Sequence, residues 1–239
     1  MGFLIAIEGV DGSGKQTQTK ELKARLEGEG YPVASISFPD YTSPASSLVK
    51  MYLMGEFGRD ARDVDAYQAS TFFAADRFAS WRRGTWRSIY EAGGIVLADR
   101  YTTANMVHQA GKLQRGPERT AFLEWLCDLE YRLYGIPKPD LVFFLDVPLA
   151  VQRELVRQRR NKITGENLQD IHEKDVEHLR QAHKAALEVA ECYHWVRIDC
   201  VQDGTLRSIE NIAQEIYQKT LETLTKRGLL RAHGQTGEG

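Results

Sequence analysis

The residues with the clearest capacity for chemistry begin at Gly9, in the stretch "IEGVDGSGKQTQ" (7–18), between an apolar run "FLIAI" and a helical pattern "QTQTKELKARLEGEG". Gly9, Gly14 and Lys15 fit the spacing GxxxxGK[ST]. In a strand–turn–helix setting, backbone N–H groups of residues 12–17 converge on a phosphate at the helix's positive end, and the lysine adds a point charge. The candidate phosphate ligands are therefore Gly9, Gly12, Ser13, Gly14, Lys15, Gln16 and Thr17. A hydroxyl normally follows the lysine and binds Mg²⁺, but this chain has Gln16 there, with Thr17 one place late. Successive helix residues point about 100° apart, so Thr17 cannot occupy the missing position. Mg²⁺ dehydrates reluctantly and keeps several waters. The expectation is an intact site whose metal is held mainly by phosphate oxygens and waters, with Asp99 in its outer shell.

Asp99 ends the apolar run of "IVLADRYTTANMVHQ" (95–109), which places its carboxylate at the carboxyl edge of a sheet, where open α/β sheets bind ligands. An acid there can hold hydrated Mg²⁺ or accept a proton, and the adjacent Arg100 can fork onto a phosphate. A simple strand-end ion pair is the bland alternative. In "STFFAADRFASW" (70–81), Phe73 and Arg77 are four apart and share a helix face. Phe72, Phe73 and Phe78 alone would read as core; an arginine beside them suits a pocket that stacks a ring and reads its edge. Finally, "RQRRNKITGENLQD" (157–170) is polar, basic and without apolar periodicity. It reads as a solvated face or as a lid. Beside a phosphate site, Arg157, Arg159 and Arg160 on a lid could stabilise a phosphoryl-transfer transition state.

These groups need a scaffold. Runs at 3–8, 33–38, 94–98, 141–146 and 195–199 read as strands, separated by helical spacing near 15–28, 44–54, 65–91, 117–134, 148–160, 171–192 and 205–226. Alternating strands and helices, with strands apolar almost throughout, predict an α/β fold with a parallel sheet covered on both faces. The 239 residues suit a single domain over 1–230, with a lid near 157–170 and a frayed tail, 231–239. A net charge of −2 gives no global field toward nucleic acid or anionic lipid. No apolar run approaches the roughly 18–20 residues of a membrane span, and no basic stretch precedes the first apolar run as in a secretory signal. Cys127, Cys192 and Cys200 lack CxxC spacing and read as reduced thiols of a cytoplasmic protein.

Together, "FLIAIEGVDGSGKQTQ", "FPDY", "FFAADR", "ADRYTTAN" and "PKPDLVFFLDVP" resemble, in order and spacing, the thymidylate kinases, over about residues 3–200. The resemblance implies a five-stranded P-loop kinase fold, a homodimer, and Mg²⁺-dependent transfer of the ATP γ-phosphoryl group to dTMP, in the supply of dTTP. It also implies roles. Asp11 goes to the deoxyribose 3′-hydroxyl, Phe73 to the thymine face, Arg77 to a thymine carbonyl, Asn105 to the base's polar edge and Arg100 to the acceptor phosphate. Phe38 and Pro39 shape the phosphate pocket, the proline often cis. This chain departs from many relatives at Tyr41, where they have arginine, at Ala104, where serine is common, and at His108, where tyrosine lies under the sugar. Gly12 replaces an arginine of some relatives, and forms lacking that arginine supply the cation from the lid. A different P-loop nucleotide or deoxynucleoside kinase is the alternative enzyme reading. A nucleotide-binding regulatory module is the non-enzyme one.

Overall fold

The computed structural model describes residues 1–149, 151 and 175–229; the basic segment 157–170 and the tail 231–239 lie outside them. Five strands form one parallel sheet in the order β2-β3-β1-β4-β5: β1 (Phe3–Glu8), β2 (Val33–Ser37), β3 (Ile95–Asp99), β4 (Leu141–Asp146) and β5 (Val196–Asp199). Side chains alternate between the two faces. Phe3, Ile5 and Ile7 of β1 pack with Ile95, Leu97 and Phe143 against Leu22 and Leu26 of α1 (Lys15–Gly28) and Ile212 and Ile216 of α8 (Ile209–Lys226). Leu4 and Ala6, with Val96, Ala98 and Val142, meet Trp81 and Trp86 on the opposite face. The three central strands, β1, β3 and β4, are buried on both faces and so carry no polar alternation, whereas the edge strands β2 and β5 are partly exposed.

The helices on that second face place the chemistry. They are α2 (Ser47–Leu53), α3 (Ala66–Arg83), α4 (Trp86–Glu91), α5 (Thr102–His108), α6 (Pro117–Cys127) and α7 (Val176–Cys192). Four expectations need correction. The helix expected over 65–91 is two helices, broken at Gly84. Its backbone turns extended there, and a Cβ would lie 2.4 Å from the Ser80 carbonyl oxygen. The helix expected over 117–134 leaves α geometry after Cys127. A π-helical turn, Asp128–Leu133, carries it on to Tyr134, whose N–H reaches back five residues to Leu129. Residues 205–206 belong to a small hairpin, β6 (Val201–Gln202) and β7 (Thr205–Leu206), and the last helix begins only after its Ser208 cap. Near 44–54 a short 3₁₀ turn, Pro44–Ser46, precedes α2. The segment after Arg100 forms α5, which the apolar pattern did not announce.

Candidate active site

β1 and β3 are neighbours with Ile7 opposite Asp99, so the loops after Glu8 and after Asp99 leave the sheet side by side. The first runs through Gly14, whose left-handed backbone (φ 85°, ψ 13°) opens α1. Asp65, Asp175 and Ser208 cap α3, α7 and α8 with side-chain oxygens, whereas α1 has no side-chain cap and no acid in its first turn. Its first amide groups are thereby left for an anion. Gly9 is required by crowding, because a Cβ there would lie 2.5 Å from Ser13 Oγ and 2.9 Å from the Leu145 carbonyl oxygen. Ser13 Oγ is buried without a hydrogen-bond partner among the described residues. Gln16 is exposed and Thr17 half-buried.

Lys15 is buried, and its Nζ donates to the carbonyls of Gly9 (2.7 Å) and Val10 (3.0 Å). Burial first, then the Arg100 charge, lowers its pKa to about 8, against the opposing pull of Asp11, Glu8 and Asp99. Glu8 was overlooked in the sequence although it immediately precedes the glycine motif. Its carboxylate is wholly buried, accepting from the Gly9 N–H (2.9 Å) and the Thr103 hydroxyl (2.9 Å), so it ties the phosphate loop to α5. Burial pushes its pKa up.

Arg100 has a left-handed backbone (φ 66°), a conformation that a non-glycine residue keeps only where its surroundings impose it. Here its N–H donates to the Ile7 carbonyl, while Nη2 pairs with Asp11 Oδ1 and Nη1 donates to His108 Nε2 (2.9 Å). A guanidinium cannot accept, so His108 is the acceptor and its ring is assigned as neutral with the proton on Nδ1. Burial and the Arg100 charge hold the His108 pKa well below the ordinary value. Its ring stacks on that of His178 of α7, centroids 5.9 Å apart. Burial lowers the His178 pKa to about 4.

On the other side of Asp99, which is buried, its carbonyl accepts from the Phe38 N–H (3.1 Å), and the following Phe38–Pro39 peptide is cis. The Asp40 N–H donates to Asp76 Oδ2 (2.9 Å), so the "FPDY" turn is fastened to α3 by the acid of "FFAADR", a second residue given no role in the sequence. Tyr41 packs with Phe72 and Phe73 against the Val49, Tyr52 and Leu53 cluster. Phe73 meets Tyr52 edge-on, with centroids 6.2 Å apart. Asn105 Nδ2 donates to the Ser70 carbonyl (3.4 Å), joining α5 to α3. Arg77 forks onto Glu130 of the π-helical turn through Nε (2.6 Å) and Nη2 (2.6 Å), and Nη1 donates to the Tyr101 carbonyl (3.3 Å).

The structure thus gathers Asp11, Lys15, Asp99, Arg100 and His108 around the carboxyl ends of β1 and β3. Arg77 and Asn105 lie where α3 meets the start of α5, and Phe73 lies on the side of α3 that packs on α2. Arg157, Arg159 and Arg160 lie outside the described residues. Among the described residues no group of three or more His, Cys, Asp or Glu side chains is placed to hold a metal ion.

A phosphate-binding loop on the central strand of a five-stranded parallel sheet, facing a second cationic centre on the next strand, defines a P-loop kinase. The family model for thymidylate kinase matches residues 7–216. The thymidylate kinase of Mycobacterium tuberculosis (strain ATCC 25618 / H37Rv) is 34% identical over 176 residues, 73% of this chain and 79% of that one. A probable thymidylate kinase of Thermococcus gammatolerans is 31% identical over 220 residues, covering 90% and 94%. The solved structure of thymidylate kinase from Candida albicans shares the fold, with a TM-score of 0.67 at 20% identity over 93% of each chain. The chain belongs to the thymidylate kinase family.

Proposed function

We propose that this chain transfers the γ-phosphoryl group of ATP to dTMP, giving dTDP, with the residues around β1 and β3 in the following roles. The ATP phosphates lie on the uncapped N-terminus of α1. Lys15 exchanges the Gly9 and Val10 carbonyls for β- and γ-oxygens and stabilises the charge that spreads during transfer. Arg100 takes the acceptor phosphate, releasing Asp11 to the deoxyribose 3′-hydroxyl. Phe73, Arg77 and Asn105 receive the thymine, and His108 crowds the sugar's 2′ position. Pro39 and Tyr41 border the acceptor phosphate with Phe38.

Mg²⁺ bound with ATP would neutralise phosphate charge. The residues suit it: the buried Asp99 carboxylate at the strand end would hold waters of the outer shell, and Gln16, exposed, would leave the inner shell to phosphate oxygens and waters. Arg157, Arg159 and Arg160 are the candidates for the transition-state cation. A single kinase domain working as a homodimer in the cytoplasm, without nucleic-acid or membrane partners, completes the reading. No helix among the described residues is long and apolar enough to cross a membrane.

The observation that carries this reading is the adjacency of two cationic centres, Lys15 at the start of α1 and Arg100 just after β3. Donor and acceptor phosphates can meet between them. Incubation with ATP, Mg²⁺ and a panel of nucleosides and nucleoside monophosphates, with ADP release followed, tests it directly. ADP release that depends on dTMP is the expected result. A folded protein that releases none refutes the assignment, and release that depends on a nucleoside instead identifies a nucleoside kinase.

A further inference from the structure

The family match and the resemblance leave Glu130 without a role, yet its carboxylate is wholly buried and saturated with charged and polar donors. Both oxygens accept from Arg77, and Oε2 also accepts from the Thr102 hydroxyl at 2.9 Å. Three elements meet on this one acid: α3 through Arg77, the first residue of α5 through Thr102, and the π-helical turn that bears it. Single-turn π segments recur at functional sites.

A buried ion pair is a weak source of stability, because apolar residues of similar volume often serve as well or better. Geometry supplies a better reason for this one. A guanidinium has five N–H donors. Nε and Nη2 each give one to Glu130 and Nη1 gives one to the Tyr101 carbonyl. Two remain, one on each terminal nitrogen. With its long stem buried and its plane locked by a two-point fork, Arg77 is a fixed, donor-only edge whose charge is balanced from behind.

We propose that Glu130 is the positioning residue for nucleobase selection. It clamps Arg77 so that the remaining two donors discriminate a pyrimidine bearing an acceptor carbonyl at position 4 from one bearing an amino group there. This rests on the reading that Arg77 faces the thymine. A donor-only group separates two bases where one presents an acceptor and the other a donor, and a site built around such a bond rejects the mismatched analogue strongly. Thr102 adds a third donor to the carboxylate, its hydroxyl reaching the same Oε2 that accepts from Arg77 Nε.

The test compares dTMP with 5-methyl-deoxycytidine monophosphate, in which the C4 oxygen is an amino group, as acceptors with saturating ATP. Glu130→Gln keeps the shape but replaces one acceptor oxygen of the fork with a donor. It is expected to raise KM for dTMP by about 10–100-fold, to leave kcat and KM for ATP within about threefold, and to reduce selectivity for dTMP by at least about tenfold. A merely structural acid would lower the melting temperature without splitting KM from kcat. In a cycle of Arg77→Met, Glu130→Leu and the double variant, the double should lose no more selectivity than Arg77→Met alone, because the two act as a unit.

The double variant replaces the ion pair with apolar side chains, so it also keeps the test open if Glu130→Gln does not fold. Unchanged dTMP selectivity in Glu130→Gln, or wild-type selectivity in a folded double variant, overturns the proposal while dTMP kinase activity stands. Absence of dTMP-dependent activity in the wild-type protein removes the underlying reading itself.

Discussion

The charge on Lys15 depends on what it faces, and this gives a measurable pH signature. In the free protein its ammonium is buried against two carbonyls and near Arg100, and its pKa falls from 10.5 to about 8. That difference is about 3 kcal/mol against the charged form. Because the folded value lies below the unfolded one, the unfolded chain binds more protons between about pH 8 and 10.5. This group's contribution to stability therefore rises with pH across that window. A polyphosphate reverses the balance, and ATP binds the protonated lysine. With a free-protein pKa near 8, the protonated fraction falls from about 0.9 at pH 7 to about 0.1 at pH 9, so ATP affinity should drop about tenfold. Calorimetry in buffers of different ionisation heat should show uptake of about 0.9 proton per ATP at pH 9 and about 0.1 at pH 7. Lys15→Ala should abolish that uptake and lower kcat by at least about 10²-fold while the fold persists. Affinity changing less than about twofold between pH 7 and 9, with no proton uptake at pH 9, would refute the reasoning.

Gln16→Ala should change kcat less than about tenfold, and Asp99→Asn far more, when both are assayed over a Mg²⁺ titration. A ligand-bound structure with the Gln16 carbonyl about 2.0–2.1 Å from the metal would contradict this. His108, neutral and fixed by Arg100, should exclude a 2′-hydroxyl; equal kcat/KM for dTMP and its ribose counterpart would show that it does not discriminate. Replacing Arg157, Arg159 and Arg160 together by alanine should lower kcat by about 10²–10³ with dTMP affinity nearly unchanged, and a near-wild-type triple variant would remove these residues from the mechanism.

The core of the sheet was legible in the sequence because β1, β3 and β4 are buried on both faces. A continuous apolar run then has only one place to go. The phosphate loop was legible because glycines at fixed spacing have a backbone reason. Helix α5 was not: six of its seven residues are buried, so "TTANMVH" shows no amphipathic stripe, and its N-cap makes no side-chain hydrogen bond. Glu8 and Glu130 escaped for a related reason. A single acid beside apolar residues looks solvent-facing until the third dimension supplies Thr103 or Arg77. The π-helical turn, moreover, shifts the helical phase on which a face assignment depends. The hairpin at 201–206 could have been found, since "QDGT" carries the Asp-Gly signal of a two-residue turn. Gly84 likewise marked the break between α3 and α4.

The pairing of Arg100 with Asp11, and of Lys15 with its own loop carbonyls, has a consequence for life in a mixture of phosphate esters. Each cation already has a partner, so an incoming anion exchanges one contact for another instead of filling a void. Orthophosphate or an unrelated phosphomonoester gains little from the exchange and should remain a feeble competitor. A ligand that also offers Asp11 a hydroxyl compensates for the pair it breaks. The resting protein is thereby screened against the crowd of small anions it must ignore, by contacts that disappear once the right molecule arrives.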